Sequence, residues 1–251
     1  MLFIVPTPIG NLQDITRRAV ETLGLVDFIL CEDTRKTRKL LNHLGIKTSL
    51  IRYNEHNQKS VDSVLELLKN GKKLALVSDG GTPCVSDPGY KIVSKASESG
   101  IKIVSLAGAS AVTCALAGSG FGGGSFVFLG FLPRTETKII KSVKNALELK
   151  KPVIIFESPH RIVKLLKIIS ENFPADLQVT VARELTKVYE EWIKGTIGKV
   201  YDELSLRPKI KGEIVVVLNL TGKQKGKENS SPLASYNSPL SKGGRGDLKK
   251  Q

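Results

Sequence analysis

One apolar run in this sequence is followed directly by residues that could carry acid–base chemistry. Glu32, Asp33 and Arg35 come immediately after the run 27–31. A carboxylate can take a proton from a hydroxyl nucleophile, and a guanidinium can bind a phosphate. The carboxylates have a structural interpretation as well, because Asp33 could be the N-cap of a helix over 34–44.

Small residues follow two further apolar runs. Ser78-Asp-Gly-Gly-Thr-Pro83 comes after the run 73–77, and Ala107-Gly-Ala-Ser110 comes after the run 101–106. Small residues let a backbone approach a ligand closely, and open α/β sheets bind ligands at the carboxyl ends of their strands. These turns therefore predict a ligand site at one edge of a sheet, although tight turns without a ligand would have the same composition.

The residue spacing does not support several other chemistries. His43, His56 and His160 share no metal-ligand spacing, and the three cysteines form no CxxC pair, so we predict no metal site. Residues 118–123 match the pattern GxGxxG, but a helical run precedes them and an apolar run follows. That order is the reverse of what a dinucleotide site needs. No Ser-His-Asp set or nucleophile elbow is recognisable.

The elements that must position these residues alternate along the chain. Short β-rich runs and amphipathic runs succeed one another over residues 1–118, which predicts an α/β domain with a largely parallel sheet. Five glycines in residues 118–124 predict a linker, which we set at 119–125. A second α/β set predicts another domain over 126–221. Residues 222–251 are rich in Lys, Ser, Gly and Asn, which predicts a disordered basic tail.

The composition is that of a folded and strongly basic protein. The 251 residues carry 38 Lys and Arg against 24 Asp and Glu, a formal net charge of +14. Residues 222–251 contribute seven cations and two anions, so the rest of the chain carries +9. This excess favours a polyanionic partner such as nucleic acid; a lysine-rich surface without such a partner is the alternative.

The chain also lacks the signals of export and membrane insertion. No apolar run approaches the roughly 20 residues that a membrane helix needs, and the first residues lack the cationic start of a signal peptide. Three cysteines do not make a disulfide framework. We therefore expect a cytoplasmic protein with no membrane contact.

Taken in order, the motifs of this sequence resemble those of one bacterial family. In the first half they are Val5-Pro-Thr-Pro-Ile-Gly-Asn-Leu-Gln-Asp-Ile-Thr16, Cys31-Glu-Asp-Thr-Arg35, Tyr53-Asn-Glu-His-Asn57 and Ser78-Asp-Gly-Gly-Thr-Pro-Cys-Val-Ser-Asp-Pro-Gly-Tyr90. In the second half they are Gly130-Phe-Leu-Pro133, Phe156-Glu-Ser-Pro-His-Arg161, Arg183-Glu-Leu-Thr-Lys187 and Gly212-Glu-Ile214. Over about residues 1–220 the chain resembles the small-subunit ribosomal RNA cytidine 2′-O-methyltransferases, within the tetrapyrrole methylase superfamily.

The resemblance implies two α/β domains of the tetrapyrrole methylase type, with S-adenosylmethionine bound in the cleft between them, and a homodimer. It also implies that strand-end loops of both halves line the cleft. Carried over by position, the cofactor-binding residues of the first domain are Pro8, Asp79, Gly81, Thr82, Ser110 and Ala111. Those of the second domain are Phe156, Ala182, Arg183 and Gly212.

The implied reaction is methylation of the ribose 2′-hydroxyl of a cytidine in 16S ribosomal RNA, within the small ribosomal subunit. Because the methyl donor is already activated, the protein has to align the reactants and help the hydroxyl lose its proton. We favour Glu32 or Asp33, near Arg35, as the catalytic base, with His56 and Glu157 as further candidates. A neighbouring arginine would lower the pKa of a carboxylate, so Arg35 could instead hold an RNA phosphate.

Two other functions remain open on the sequence. A methyltransferase of a small tetrapyrrole-like substrate would share the cofactor cleft but would have no use for a basic body. A non-catalytic RNA-binding assembly factor would retain the fold and bind small subunits, yet it would transfer no methyl group.

Overall fold

The computed structural model describes residues 1–122 and 124–220. They form two five-stranded sheets, and the predicted alternation of strands and helices is confirmed. Gly123, within the predicted linker, and the predicted tail over 222–251 lie outside the described residues. The domain boundaries set from the sequence remain a prediction.

The first sheet contains five parallel strands in the order β3-β2-β4-β1-β5. Its strands are β1 (Leu2–Ile4), β2 (Phe28–Cys31), β3 (Ser49–Arg52), β4 (Leu74–Leu76) and β5 (Ile103–Ser105). The helices of this half are α1 (Arg17–Leu25), α2 (Thr34–His43), α3 (Gln58–Lys69), α4 (Tyr90–Glu98) and α5 (Ala111–Ser119). Because every strand runs the same way, the loops at the carboxyl ends meet at one edge of the sheet.

Helices cover both faces of the first sheet. Ile29 and Leu30 are neighbours in β2, and they point into two different cores because side chains alternate along a strand. Ile29 packs with Leu23 of α1 on one face, and Leu30 packs with Val64 of α3 and Ile92 of α4 on the other. Burial on both faces explains why these strands are continuously apolar in sequence.

The second sheet has the order β6-β7-β10-β8-β9. Its strands are β6 (Val127–Phe131), β7 (Val153–Glu157), β8 (Gln178–Arg183), β9 (Glu191–Thr196) and β10 (Ile214–Asn219). β6 and β7 are parallel, and the other three pairings are antiparallel. Its helices are α6 (Glu136–Leu147), α7 (Ile162–Asn172) and α8 (Ile197–Ser205).

The helix α5, which follows the last strand of the first sheet, packs against the second sheet. The helices α6, α7 and α8 bury their apolar sides in one core against the second sheet. A separate core contains Val112 and Ala115 of α5 together with Ile154 and Val217 of that sheet. Gly118 of α5 has no room for a β-carbon, which would overlap the ring of Trp192. Since α5 follows β5, this packing brings the strand-end loops of the first sheet alongside the second sheet.

Candidate functional site

Hydrogen bonds join the loops that follow β1, β4 and β5. The Thr7 amide donates to the Gly81 carbonyl at 2.9 Å, and the Gly81 amide donates to the Thr7 carbonyl at 2.8 Å. The Thr82 hydroxyl donates to the Ala109 carbonyl at 3.0 Å. Gly81 has a φ of 88°, and a β-carbon there would lie 3.3 Å from Cγ2 of Ile9, so glycine suits both the conformation and the close approach.

A cavity of about 400 Å³ lies between these loops and the second sheet. This volume is within the range of about 300–1,000 Å³ that small-molecule sites have. Its apolar wall includes Ile9 and Val85 from the first half and Phe131, Phe156 and Val215 from the second. The rings of Phe131 and Phe156 meet edge to face with centroids 5.7 Å apart. The cavity can therefore hold a flat apolar group against the two phenylalanine rings, and polar side chains of the first half face it from the other side.

The structure brings seven of the ten predicted cofactor residues to this cavity: Asp79, Gly81, Thr82, Ser110, Ala111, Phe156 and Gly212. It places Pro8, Ala182 and Arg183 outside the lining. Ala182 is fully buried in β8. Arg183 donates to Glu191 at 2.9 Å and to the Lys211 carbonyl at 3.2 Å. Cofactor contact by any of the ten residues stays a prediction.

The three predicted catalytic residues lie at the start of α2, and none of them lines the cavity. Asp33 is the N-cap of α2 and accepts a hydrogen bond from the Arg35 amide at 2.9 Å, which confirms the structural interpretation of this residue. The Arg35 guanidinium also donates to both carboxylate oxygens of Asp33, at 3.3 and 3.2 Å. These bonds from Arg35 lower the pKa of Asp33 to about 2, which makes it a weak base. Glu32 is exposed, and a catalytic role for any of the three stays a prediction.

The other two candidate bases occupy different surroundings. His56 lies in an exposed turn before α3, outside the cavity lining. Glu157 lines the cavity at the end of β7, and its side chain is fully buried. Burial raises its pKa, while the Ser158 amide donates to Oε1 at 2.7 Å and Arg161 forms an ion pair with Oε2 at 3.3 Å. Arg161 also donates to the carbonyl of Leu132 at 3.0 Å. Through Arg161, Glu157 therefore helps to connect the end of β7 with the loop after β6.

Four carboxylates line the cavity, and three of them are already paired. Glu157 holds Arg161, as described above. Asp79 forms an ion pair with Lys36 of α2 at 2.6 Å, and Glu213 forms one with Lys187 at 3.0 Å. The fourth, Asp87, has no hydrogen bond or ion pair from its side chain to any other residue in the part of the chain that the structure describes. Neither Asp87 nor Lys36 stands out in the sequence, although the family motif that ends at Tyr90 contains the aspartate.

Asp87 lies in a tightly constrained turn. Cys84 and Ser86 have left-handed φ angles of 68° and 63°, and Gly89 has a φ of 134°. A β-carbon on Gly89 would lie 2.5 Å from Cδ2 of Leu76 and 2.9 Å from Sγ of Cys84. Left-handed non-glycine residues cost of order 1–3 kcal/mol each, and they persist where the surroundings hold them. Such strain is concentrated at functional sites, and here it lies beside the cavity.

For the described residues, the structure addresses metal sites, membrane-spanning helices and cysteine pairing. Among residues 1–122 and 124–220, no group of three His, Cys, Asp or Glu side chains is placed to hold a metal ion. No helix in the same part of the chain has the length and apolar character to cross a membrane. Cys31, Cys84 and Cys114 are all free thiols.

Comparisons with known proteins place this chain among methyltransferases. Residues 1–201 match the family described as Tetrapyrrole (Corrin/Porphyrin) Methylases. The ribosomal RNA small subunit methyltransferase I of Thermotoga maritima is 45% identical over 221 residues, which cover 87% of this chain and 97% of that protein. The protein of the same name from Hydrogenobaculum sp. is 44% identical over 221 residues, with 87% and 95% covered.

Solved structures with the same fold are more distant in sequence. The methyltransferase CobJ superposes with a TM-score of 0.66 at 16% identity, covering 90% of this chain and 96% of that one. Diphthine synthase superposes with a TM-score of 0.68 at 16% identity, covering 87% and 89%. At such identities the likeness concerns the fold. Together with the family match over residues 1–201, it confirms the prediction of two α/β domains of the tetrapyrrole methylase type.

Proposed function

The chain belongs to the tetrapyrrole (corrin/porphyrin) methylase family, and we propose that it methylates the ribose 2′-hydroxyl of a cytidine in 16S ribosomal RNA. The family predicted from the motifs is confirmed, and with it the class of S-adenosylmethionine-dependent methyltransferases. One observation carries the choice of substrate. A cavity shared by both halves is lined by Lys36, which belongs to the strongly basic helix α2.

The charge distribution along α2 supports an RNA substrate. Arg35, Lys36, Arg38 and Lys39 lie within the first six residues of this helix, and its first turn contains no acidic residue. The dipole of a helix favours anions at its N-terminus, so four cations there oppose the dipole. Binding of RNA phosphates next to the cavity accounts for that arrangement, because cations that neutralise phosphates supply most of the affinity for a nucleic acid.

The cavity lining fits S-adenosylmethionine. This molecule carries a sulfonium, an ammonium, a carboxylate and a flat adenine. Asp79 and Glu213 match the cationic groups, and the phenylalanine wall matches the adenine. Ser110, the N-cap of α5, makes no capping hydrogen bond with its side chain, so first-turn amides of α5 are available to an anionic or carbonyl oxygen.

The work left to the protein follows from the chemistry of the methyl donor. S-adenosylmethionine supplies an activated methyl group when it is bound. The loops joined through Thr7 and Gly81 hold the cavity in one shape, and fixed orientation of two reactants is worth about 7–11 kcal/mol of the barrier. The cations of α2 would hold the RNA so that a ribose hydroxyl faces the cavity, and the cavity carboxylates would accept the proton.

Sequence identity to known proteins favours RNA methylation over methylation of a small tetrapyrrole. The relatives at 43–45% identity are named as ribosomal RNA methyltransferases. The cobalt precorrin-4 methyltransferase CbiF is 18% identical, with a TM-score of 0.63. The +9 charge outside the tail also favours a polyanionic substrate over a tetrapyrrole that itself carries carboxylates.

Location and assembly belong to the same proposal. We place the activity in the cytoplasm, because small ribosomal subunits are its substrate. We also infer a homodimer, as the family resemblance implies. Two strongly exposed apolar side chains, Val188 at 93% and Tyr189 at 73%, support a protein surface that is covered by a partner. Light scattering of the purified chain would read twice the 27.3 kDa of one chain if the inference holds.

The direct test is transfer of tritium from labelled S-adenosylmethionine to small ribosomal subunits that lack the endogenous modification. Free 16S RNA and tetrapyrrole precursors are tested in parallel. We expect the label in a nuclease-resistant dinucleotide that contains 2′-O-methylcytidine. Label in a tetrapyrrole, or in no substrate, would contradict the proposal.

A substitution in the cavity separates an enzyme from an RNA-binding assembly factor. We expect Asp79→Trp to abolish both cofactor binding and methyl transfer, because the bulky ring would fill space beside Gly81 and Thr82. Affinity for the small subunit is measured on the same variant. An assembly factor would show no methyl transfer in the unsubstituted chain while binding subunits equally well with and without the substitution.

A further inference from the structure

We propose that Asp87 is the residue that accepts the proton of the attacking ribose hydroxyl, an inference that rests on the function proposed above. Asp87 lines the cavity between the two sheets. Its side chain has no hydrogen-bond or ion-pair partner among residues 1–122 and 124–220. The other three carboxylates of the cavity are paired, because Asp79 and Glu213 hold lysines and Glu157 holds Arg161. A carboxylate that faces a substrate cavity without a partner can bind a new proton donor without breaking an existing bond.

The turn that carries Asp87 is built to hold it in one place. Cys84 and Ser86 are both left-handed, and Gly89 leaves no space for a side chain next to Leu76. The turn also reaches the second sheet, because a β-carbon on Gly130 of β6 would lie 2.9 Å from the Ser86 hydroxyl oxygen. A fixed carboxylate at the junction of both halves is what positioned proton transfer requires.

The surroundings give Asp87 the proton affinity of a useful base. Burial raises the pKa of Asp87 to about 6, and the charges of Asp79, Glu32 and Glu213 act in the same direction. Asp79 and Glu213 are paired with Lys36 and Lys187. A base with a pKa near 6 is largely ionised at neutral pH and still binds a proton well.

Asp33 makes the contrasting case. Its two hydrogen bonds from the Arg35 side chain hold the pKa of the carboxyl near 2, and it serves as a helix cap. A carboxylate of that kind has little tendency to take a proton from a hydroxyl. The geometry therefore favours Asp87 over Asp33.

The proposed step conserves atoms and charge. The ribose oxygen forms a bond to the methyl carbon, and the bond between that carbon and sulfur breaks with its electron pair returning to sulfur. The hydroxyl proton moves to a carboxylate oxygen of Asp87. The resulting carboxylic acid then releases the proton to water, which restores the ionised base for the next turnover.

The test compares Asp87→Asn with the unsubstituted chain in single-turnover methyl transfer to small subunits. Asparagine has nearly the same shape but cannot accept the proton, so we expect the rate to fall about 10²–10⁴-fold. Cofactor affinity, measured by calorimetry with S-adenosylmethionine alone, should change less than about threefold. Asp202→Asn, an exposed substitution on α8, is the matched control and should retain the full rate.

The pH dependence supplies a readout that a structural role would not produce. The rate of the unsubstituted chain should rise with pH and level off above an apparent pKa near 6, whereas Asp87→Asn should lose that rise. Asp87→Glu, which keeps a carboxylate, should recover part of the rate with a displaced pH profile. These variants are compared at a temperature where each is fully folded and at equal cofactor occupancy, so that misfolding is not scored as lost catalysis.

Each result bears on a different proposal. A chain that binds S-adenosylmethionine but methylates no RNA overturns the proposed function. An active chain whose Asp87→Asn variant keeps its rate within about threefold overturns the role of Asp87. Loss of activity in Glu32→Gln together with full activity in Asp87→Asn would assign the base to Glu32 instead.

Discussion

The Gly89 amide donates a 2.7 Å hydrogen bond to Oε2 of Glu55, so a residue from the loop after β3 holds the end of the turn that carries Asp87. Glu55 belongs to the family motif Tyr53-Asn-Glu-His-Asn57, and it does not line the cavity. Its acidic side chain therefore acts on the cavity through the backbone of the neighbouring loop. Glu55 is a positioning residue in this interpretation.

The first prediction concerns that hydrogen bond. We expect Glu55→Ala to lower single-turnover methyl transfer about tenfold, because the turn around Asp87 would lose one of its anchors. Glu55→Gln should keep most of the rate, since its amide oxygen can still accept the bond from Gly89. Cofactor affinity should stay the same in both variants, and an equal loss of rate in both would contradict a positioning role.

The second prediction concerns the stability of the protein as a function of pH. The folded-state pKa of Asp87 is raised to about 6 from its usual 3.8, so the ionised carboxylate destabilises the fold. The penalty is nearly absent at pH 4 and below, grows mainly between about pH 4 and 6, and is complete well before pH 8. The shift of about two units corresponds to roughly 3 kcal/mol, and partial exposure reduces this to about 1–2 kcal/mol.

Asp87→Asn should therefore be more stable than the unsubstituted chain at pH 8 and equally stable at pH 4. Urea unfolding at the two pH values measures the difference. A variant that gains stability while losing activity would fit a site where a strained, destabilising group is kept for function. Equal stability at both pH values would show that Asp87 ionises freely in the folded protein.

The third prediction tests the loop junction at Gly81. An alanine there would have to adopt a φ of 88° and place its β-carbon 3.3 Å from Ile9. We expect Gly81→Ala to weaken S-adenosylmethionine binding at least tenfold in calorimetry. Gly24→Ala in α1 is the control, because a β-carbon at Gly24 meets nothing within 4 Å. That change should leave affinity intact and stabilise the fold by up to about 1 kcal/mol.

Local sequence signals predicted the elements well. The helix predicted over 34–44 is observed as α2 (Thr34–His43), with Asp33 as its N-cap. The common edge of the loops was also predictable, since parallel strands present their carboxyl ends together. The position of β10 between β7 and β8 was not, because antiparallel pairing of distant segments leaves no local mark in a sequence.

Two aspartates show the same limit at the level of single residues. Asp33 and Arg35 are two positions apart in the sequence, which suggested acid–base chemistry, yet that proximity pairs them and weakens the base. Asp87 has its proton affinity from burial, from Asp79 of the same loop, and from Glu32 and Glu213, which come from other segments. Only the folded arrangement distinguishes these two aspartates.

The fourth prediction addresses the basic helix beside the cavity. If Arg35 and Lys39 contact RNA phosphates, replacing both with glutamine removes two phosphate contacts, and RNA binding then releases fewer counterions. The logarithm of the affinity for single-stranded RNA falls with the logarithm of salt by about 0.7 per phosphate contact, so the slope should become shallower by about 1.4. Filter binding to a 16S RNA fragment over a range of salt concentrations measures it.

A cation on the other side of the protein provides the comparison. Lys164 is exposed on α7, which packs on the face of the second sheet opposite α5. Lys164→Gln removes one charge without touching α2, so its salt slope should match that of the unsubstituted chain. If instead the slope depended only on net charge, Lys164→Gln would flatten it as much as one substitution in α2. A local effect of α2 would place the RNA backbone beside Lys36 and the cavity, where the ribose hydroxyl has to arrive.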